Sequence, residues 1–164
     1  MEIIPVETQE LIDITEKIAY EIWREHYASI ITDEQIEYML ENFQSAEVIA
    51  KQISMQNYKY FLMKSQEGSF EGYFAIAADK EHIFLSKIYV RKSRRGKGYG
   101  KKAVFFIKDF AEENNFKSIF LTVNKNNINS IETYKKIGFY IEEEIKQDIG
   151  NGFFMDDYKM RLVV

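Results

Sequence analysis

The chain has 164 residues, 22 Lys+Arg against 26 Asp+Glu, and a net charge of -4, with 46% hydrophobic and 15% aromatic residues, one Pro and no Cys. That length fits one domain able to bury roughly two-thirds of its unfolded surface, and the aromatic content excludes intrinsic disorder. The lack of Cys excludes disulfides, thiolate nucleophiles and Cys-ligated metal centres, and no metal is expected. The first third reads helical: Leu11, Ile14, Ile18 and Ile22 make one apolar face. Thr32 with Gln35 forms a capping box, Ile31 and Ile36 a hydrophobic staple, and Ile36, Met39, Leu40 and Phe43 the buried stripe of a second helix. A shorter helix follows Ser45. The period then changes to two: strands at Tyr60–Met63 and Tyr73–Ala77 flank a Glu67-Gly68-Ser69 turn, and a third strand runs from His82 to Val90. Gly98–Glu113 reads as a helix with Ala103, Phe106, Ile107 and Phe110 inward, and Lys117–Val123 as a strand. Asn129 caps a short helix that Gly138 ends. Phe139–Ile145 and Phe153–Val164 form a final hairpin around residues 149–152.

These elements predict a single α/β (α+β) domain over residues 1–164, with a mixed, mostly antiparallel sheet flanked by helices and one strand–helix–strand crossover. The longest apolar run, Tyr73 to Ala78, falls far short of the ~20 residues of a membrane span. Residues 1–7 (MEIIPVE) carry no basic segment or apolar core of a secretory signal. A cytoplasmic protein without a membrane partner is expected.

Charge is unevenly spread. Residues 91–102 (RKSRRGKGYGKK) hold seven basic side chains and no acid, whereas residues 1–57 hold twelve acids and three bases. A basic island in an acidic chain points to an anionic ligand at one place, not to nucleic acid. Within it, Arg95-Gly96-Lys97-Gly98-Tyr99-Gly100-Lys101 lies between a predicted strand and a predicted helix. Glycines there let the backbone turn and approach a ligand, and the amides of a helix start favour an anion. A phosphate or pyrophosphate is the natural ligand. The Walker pattern is not met, and the third glycine comes one residue early for a dinucleotide fingerprint. R-x-x-G-x-G is met by Arg95, Gly98 and Gly100. Downstream, Asn127 to Phe139 fits N-x-x-[AS]-x-x-x-Y-x-x-x-G-F, with Asn127, Ser130, Tyr134, Gly138 and Phe139 in register.

With both motifs in order, the chain resembles the GNAT superfamily of acetyl-CoA-dependent N-acetyltransferases over roughly residues 58–164; residues 8–57 are consistent with its two N-terminal helices. The resemblance implies that the amides of Arg95, Gly96, Lys97, Gly98, Tyr99, Gly100 and Lys101 hold the CoA pyrophosphate. It implies that backbone groups of Ile88, Tyr89 and Val90, where that strand splays from its neighbour, hold the pantetheine arm and polarise the thioester. Asn127 and Ser130 would contact CoA, Lys136 would meet a CoA phosphate, and Tyr134 would protonate the leaving thiolate after direct attack by the amine. Taken alone, Tyr134 and Asn127 are equally a packing residue and a turn residue.

Some relatives carry a catalytic Glu in the strand before the glycine loop; here Phe84-Leu85-Ser86-Lys87 has no acid. Glu81 and His82 are candidate bases, and the base is left unassigned. The expected acceptor side is acidic: Glu21, Glu25, Asp33, Glu34, Glu37, Glu41, Glu142–Glu144, Asp156 and Asp157. Such a field attracts a cationic small-molecule amine, and the Asp156-Asp157-Tyr158 run is similar to polyamine acetyltransferases in that superfamily. A solvated acidic face is the plain alternative, as core packing is for Trp23, Tyr27, Phe153 and Phe154. Rival functions are a non-catalytic acyl-CoA-binding regulatory module and, against the acidic remainder, a nucleic-acid-binding protein. A monomer or homodimer is expected.

Overall fold

A computed structural model describes residues 1–164. In chain order it contains β1 (Glu2–Pro5), α1 (Gln9–Tyr27), α2 (Asp33–Phe43), α3 (Ala46–Met55), β2 (Tyr58–Lys64), β3 (Phe70–Ala78) and β4 (His82–Val90). A 3-10 turn at Lys92–Arg94 leads to α4 (Tyr99–Glu113), β5 (Ser118–Asn124), α5 (Ile128–Ile137), β6 (Tyr140–Gly150) and β7 (Phe153–Val163). The strands order as β1-β2-β3-β4-β5-β7-β6. Pairing is parallel at β4–β5 and antiparallel at β1–β2, β2–β3, β5–β7 and β6–β7. This is the mixed, mostly antiparallel α/β architecture that the sequence predicts. No helix is long and apolar enough to cross a membrane. β1 has no counterpart in the sequence pattern. It is four residues long and ends in Pro5 on the sheet edge, where a missing N–H disturbs the ladder least.

The helices start where their caps stand. Thr32 Oγ1 accepts from Gln35 N–H, as the sequence predicts; Ser45 Oγ accepts from Val48 N–H at the head of the helix expected after it, and Thr8 caps α1 in the same way. Two expectations are corrected. The cap of α5 is Asn127, whose Oδ1 accepts from Ser130 N–H, and not Asn129. The innermost residues of α1 are Ile12, Thr15, Ile18, Ala19, Ile22 and Trp23, so Leu11 and Ile14 lie at the edge of the stripe. Thr15 is tolerated inside because its hydroxyl donates to Leu11 C=O.

The chain divides into two compact units, Met1–Ala77 with Ser86–Phe106, and Ala78–Leu85 with Ile107–Val164. In the first, strand alternation sorts two layers. Phe61 and Phe74 stack at 4.9 Å, and Phe106 of α4 meets both edge-on. Tyr60 and Tyr73 on the alternate positions belong to buried polar chains. Trp23 Nε1–H donates to the Tyr73 hydroxyl, which donates to Gln44 Oε1. In the second unit, Ile83, Leu85, Ile107, Ala111, Ile119, Leu121, Phe139 and Met160 are buried. Gly138 ends α5 with φ +121, a conformation that favours glycine, and a Cβ there would come 3.2 Å from Leu162 Cδ1.

Lys87 is the oddest resident of the first unit. It is 5% exposed, and its ammonium donates to Phe43 C=O, Tyr60 OH and Gln52 Oε1, all uncharged partners. Burial pushes its pKa down to about 7. Below pH 7 folding must bury an ammonium; between pH 7 and about 10.4 the unfolded chain holds the extra proton. Stability therefore rises with pH through that window on this residue's account, at most by about 1.4 kcal/mol per pH unit. Melting curves from pH 6 to 10 check this: Lys87→Met is expected to lack the rise, and an identical slope in the variant contradicts it.

Candidate functional site

The basic island is held by its own unit. Arg91 N–H donates to Glu71 C=O at 2.8 Å. The Glu71 carboxylate, 8% exposed, lies 3.2 Å from the Arg94 guanidinium and 3.7 Å from that of Arg91, and accepts from Ser69 Oγ. From α1, Glu21 pairs with Arg91 and Glu25 accepts from Lys92 N–H at 2.9 Å. Arg91 and Arg94 are thus spent on fixing the 3-10 turn. Downstream, Arg95 Nε donates to Val90 C=O.

Gly96 and Gly98 then take φ of +75 and +86, the left-handed conformations that glycine adopts without strain. A Cβ placed on Gly96, Gly98 or Gly100 would meet nothing within 4 Å. The space above all three is open, and the conformation, not crowding by the protein, requires glycine at the first two. The first bond of α4 runs from Lys102 N–H to Gly98 C=O, so the amides of Tyr99, Gly100 and Lys101 have no acceptor further down the helix. Amides and the positive helix end meet open space flanked by exposed Arg95, Lys97 and Lys101. These residues fit a pyrophosphate.

The end of β4 is fixed just as firmly. Gly72 sits where a Cβ would come 2.5 Å from Tyr89 O and 3.2 Å from Val90 Cα, so only glycine allows β3 to lie against Tyr89 and Val90. The Tyr89 ring packs on Trp23 at 5.1 Å and Tyr73 at 5.5 Å. His26 lies 6.4 Å from Tyr89, and burial and then Arg95 push its pKa down to about 4, so it is neutral at neutral pH. Trp23 and Tyr27 are core residues here, 3% and 6% exposed.

The second unit carries the other motif. β5 ends at Asn124, whose carbonyl accepts from Asn127 N–H and whose Oδ1 accepts from Asn126 N–H. That turn delivers Asn127 to cap α5. Tyr134 is half-buried, its ring 5.6 Å from that of Phe139, and Lys136 is exposed. α5 thus places Ser130, Tyr134 and Lys136 in sequence behind one cap.

Residues 17–139 match the sequence model of the Acetyltransferase (GNAT) family. The chain belongs to that family. Among curated proteins, this GNAT chain is 34% identical over 64 residues to a probable spermine N(1)-acetyltransferase of Bacillus subtilis subsp. natto, covering 38% of the chain and 42% of the relative. It is 38% identical over 55 residues, 34% of the chain and 22% of the relative, to the uncharacterised N-acetyltransferase YobR of Bacillus subtilis. The matches thus span less than half the length of these relatives. Among solved structures, the PaiA N-acetyltransferase of Thermoplasma acidophilum, in complex with coenzyme A, superposes with a TM-score of 0.82 over 100% of both chains at 19% identity. A spermidine N-acetyltransferase of Vibrio cholerae does so with 0.70 over 99% of this chain and 95% of that one at 15% identity. These likenesses show the GNAT fold.

Several acids expected to form a free field on this GNAT chain are committed. Besides Glu21 and Glu25, Glu37 pairs with Arg24, Glu142 with Arg161 and Lys159, and Glu144 and Asp156 with Lys125. Of the candidate bases, Glu81 is paired with Lys117, and its pKa is lowered chiefly by that hydrogen bond. His82 Nδ1 shares a hydrogen bond with Ser118 Oγ at 2.9 Å. Glu71, Gly72 and Lys87 escape sequence reading. Glu71 and Gly72 stand in an otherwise apolar strand, and a polar or missing side chain there was the available signal.

Proposed function

We propose that the protein transfers the acetyl group of acetyl-CoA to a primary amine, as one N-acetyltransferase domain over residues 1–164. The observation that carries the reading is the loop at Gly96 and Gly98, where two left-handed glycines open the N-terminus of α4 onto unfilled space between cations. The amides from Arg95 to Lys101 hold the pyrophosphate, and backbone groups of Ile88, Tyr89 and Val90 hold the pantetheine arm and polarise the thioester carbonyl. Oxyanion stabilisation of this kind contributes about 3–4 kcal/mol per donor. Asn127, Ser130 and Lys136 contribute to CoA binding, and Tyr134 protonates the leaving thiolate. The amine attacks directly, without an acyl-enzyme, and no metal takes part. The family match and the coenzyme A bound by the Thermoplasma protein support this reading.

The acceptor is proposed to be a polyamine or another small cationic amine, supported by the names of the Bacillus and Vibrio relatives. The protein acts in the cytoplasm as a monomer or homodimer, without nucleic acid. A CoA-release assay against polyamines, aminoglycosides, amino acids and peptides tests it. A polyamine is expected to have the highest kcat/KM. A neutral or anionic best substrate overturns the cationic acceptor, and no CoA release with any amine overturns the transferase reading.

A further inference from the structure

One acid of the β6–β7 hairpin differs from its neighbours. Asp157 is 8% exposed, and its Oδ1 has no hydrogen-bond partner. A carboxylate oxygen buried without a donor is expensive, and a native exception calls for a reason. Its place supplies one. Across the β5–β7 ladder Asp157 stands opposite Asn124, and across the β6–β7 ladder opposite Ile145. Asn124 is the residue whose carbonyl and side chain build the turn that delivers Asn127 to the head of α5. The unpartnered oxygen therefore lies one ladder step from the turn that sets up the Tyr134 helix.

We propose that Asp157 receives the ammonium of the acceptor amine and acts as its general base. This rests on the acetyltransferase reading. The N–H bond of the ammonium breaks, the proton passes to the Asp157 carboxylate, and the freed lone pair attacks the thioester carbonyl carbon. As the C–S bond breaks, the thiolate takes a proton from Tyr134, which regains one from the attacking nitrogen through water. Asp157 returns its proton to solvent. Acetyl amide, CoA thiol and one released proton balance the ammonium and thioester consumed.

The charged surroundings suit the role. Asp156 is adjacent, Lys125 lies 3.1 Å from Asp156 and 3.5 Å from Glu144, and Lys146 and Tyr158 flank the position on β6 and β7. Burial, then Asp156, push the Asp157 pKa up to about 6, against the opposing pull of Lys125. A base half-titrated there is ionised at neutral pH and still basic enough to take a proton. Glu81 is held by Lys117, and His26 is too weak a base.

The test measures kcat/KM for the best amine between pH 5 and 9 in wild type and Asp157→Asn, with acetyl-CoA Kd and Tm on the same samples. Wild type is expected to show an acid limb centred near pH 6. Asp157→Asn is expected to lose about 10²–10⁴-fold at pH 7.5. Its remaining rate should climb with pH as free amine accumulates, while acetyl-CoA Kd stays within about twofold. If the Asn variant does not fold, Asp157→Glu is the second probe, expected to keep an acid limb at a reduced rate. A wild-type rate and unchanged acid limb in Asp157→Asn overturn the proposal, as does parallel loss of acetyl-CoA binding. A wild type that acetylates no amine is a different result: it brings down the transferase reading, and this assignment with it.

Discussion

Gly98→Val is expected to abolish measurable acetyl-CoA binding while the protein still folds. The two effects separate because the Cβ at position 98 meets nothing within 4 Å, so no protein contact is crushed. The fold bears only the strain of a β-branched residue at φ +86, on the order of 1–3 kcal/mol. The ligand meets a branched side chain in the space above the amides, and bidentate contact with them is lost. Calorimetry and thermal shift check this. Wild type should bind at micromolar strength and gain melting temperature with added acetyl-CoA, since a ligand of the native state stabilises it by mass action. The variant should melt lower and show no gain. Unchanged affinity in a folded Gly98→Val protein means that the loop is not the cofactor site.

Tyr134→Phe is expected to lower kcat and kcat/KM together, by about 10- to 1000-fold, with KM for acetyl-CoA nearly constant. The ring lies 5.6 Å from Phe139, and Phe preserves that packing, so Tm should change little. What is removed is a proton donated as the thiolate leaves, an interaction made mainly in the transition state. A residue that merely packs predicts the reverse: full turnover, and any loss confined to the melting curve. Wild-type kcat in Tyr134→Phe means that the thiolate leaves unassisted or is protonated by another group.

What the sequence shows about this fold is whatever local chemistry encodes. The cap at Thr32, the helix after Ser45, the alternation of β2 to β5 and the glycines of the basic loop are short-range patterns, and each appears in the structure where its pattern stands. β1 is too short to have a period. The inward face of α1 was misplaced by about one residue, because Thr15, made acceptable by its bond to Leu11 C=O, reads as polar. At the cap of α5, Asn127 and Asn129 are the same residue type two positions apart, and only the turn built on Asn124 decides between them. The partners of the odd residues are long-range and no local pattern names them: Glu71 beside Arg91 and Arg94, Gly72 against Tyr89, Lys87 among uncharged acceptors. The acidic field was legible as composition, whereas the pairing that neutralises much of it was not. Tyr134, Asn127 and the loop were legible as motifs, because their residues stand at fixed short spacings.

The carboxylates fastened to Arg91 and Arg94 bear on which anions the island favours. Counted from sequence, residues 91–102 look like a hook for a polyanion. With Arg91 held by Glu21 and Glu71, and Arg94 by Glu67 and Glu71, the charge left to share is on Lys92, Arg95, Lys97, Lys101 and Lys102. A nucleic acid gains affinity from each phosphate set against a cation along a track, and the pairing of Arg91 and Arg94 takes two of the seven cations of residues 91–102 out of such a track. A compact ligand with its phosphates in one place needs only the cations beside the first amides of α4, Arg95, Lys97 and Lys101. On the proposed reading, the internal ion pairs therefore favour a short polyphosphate over a long one by the charge they withhold.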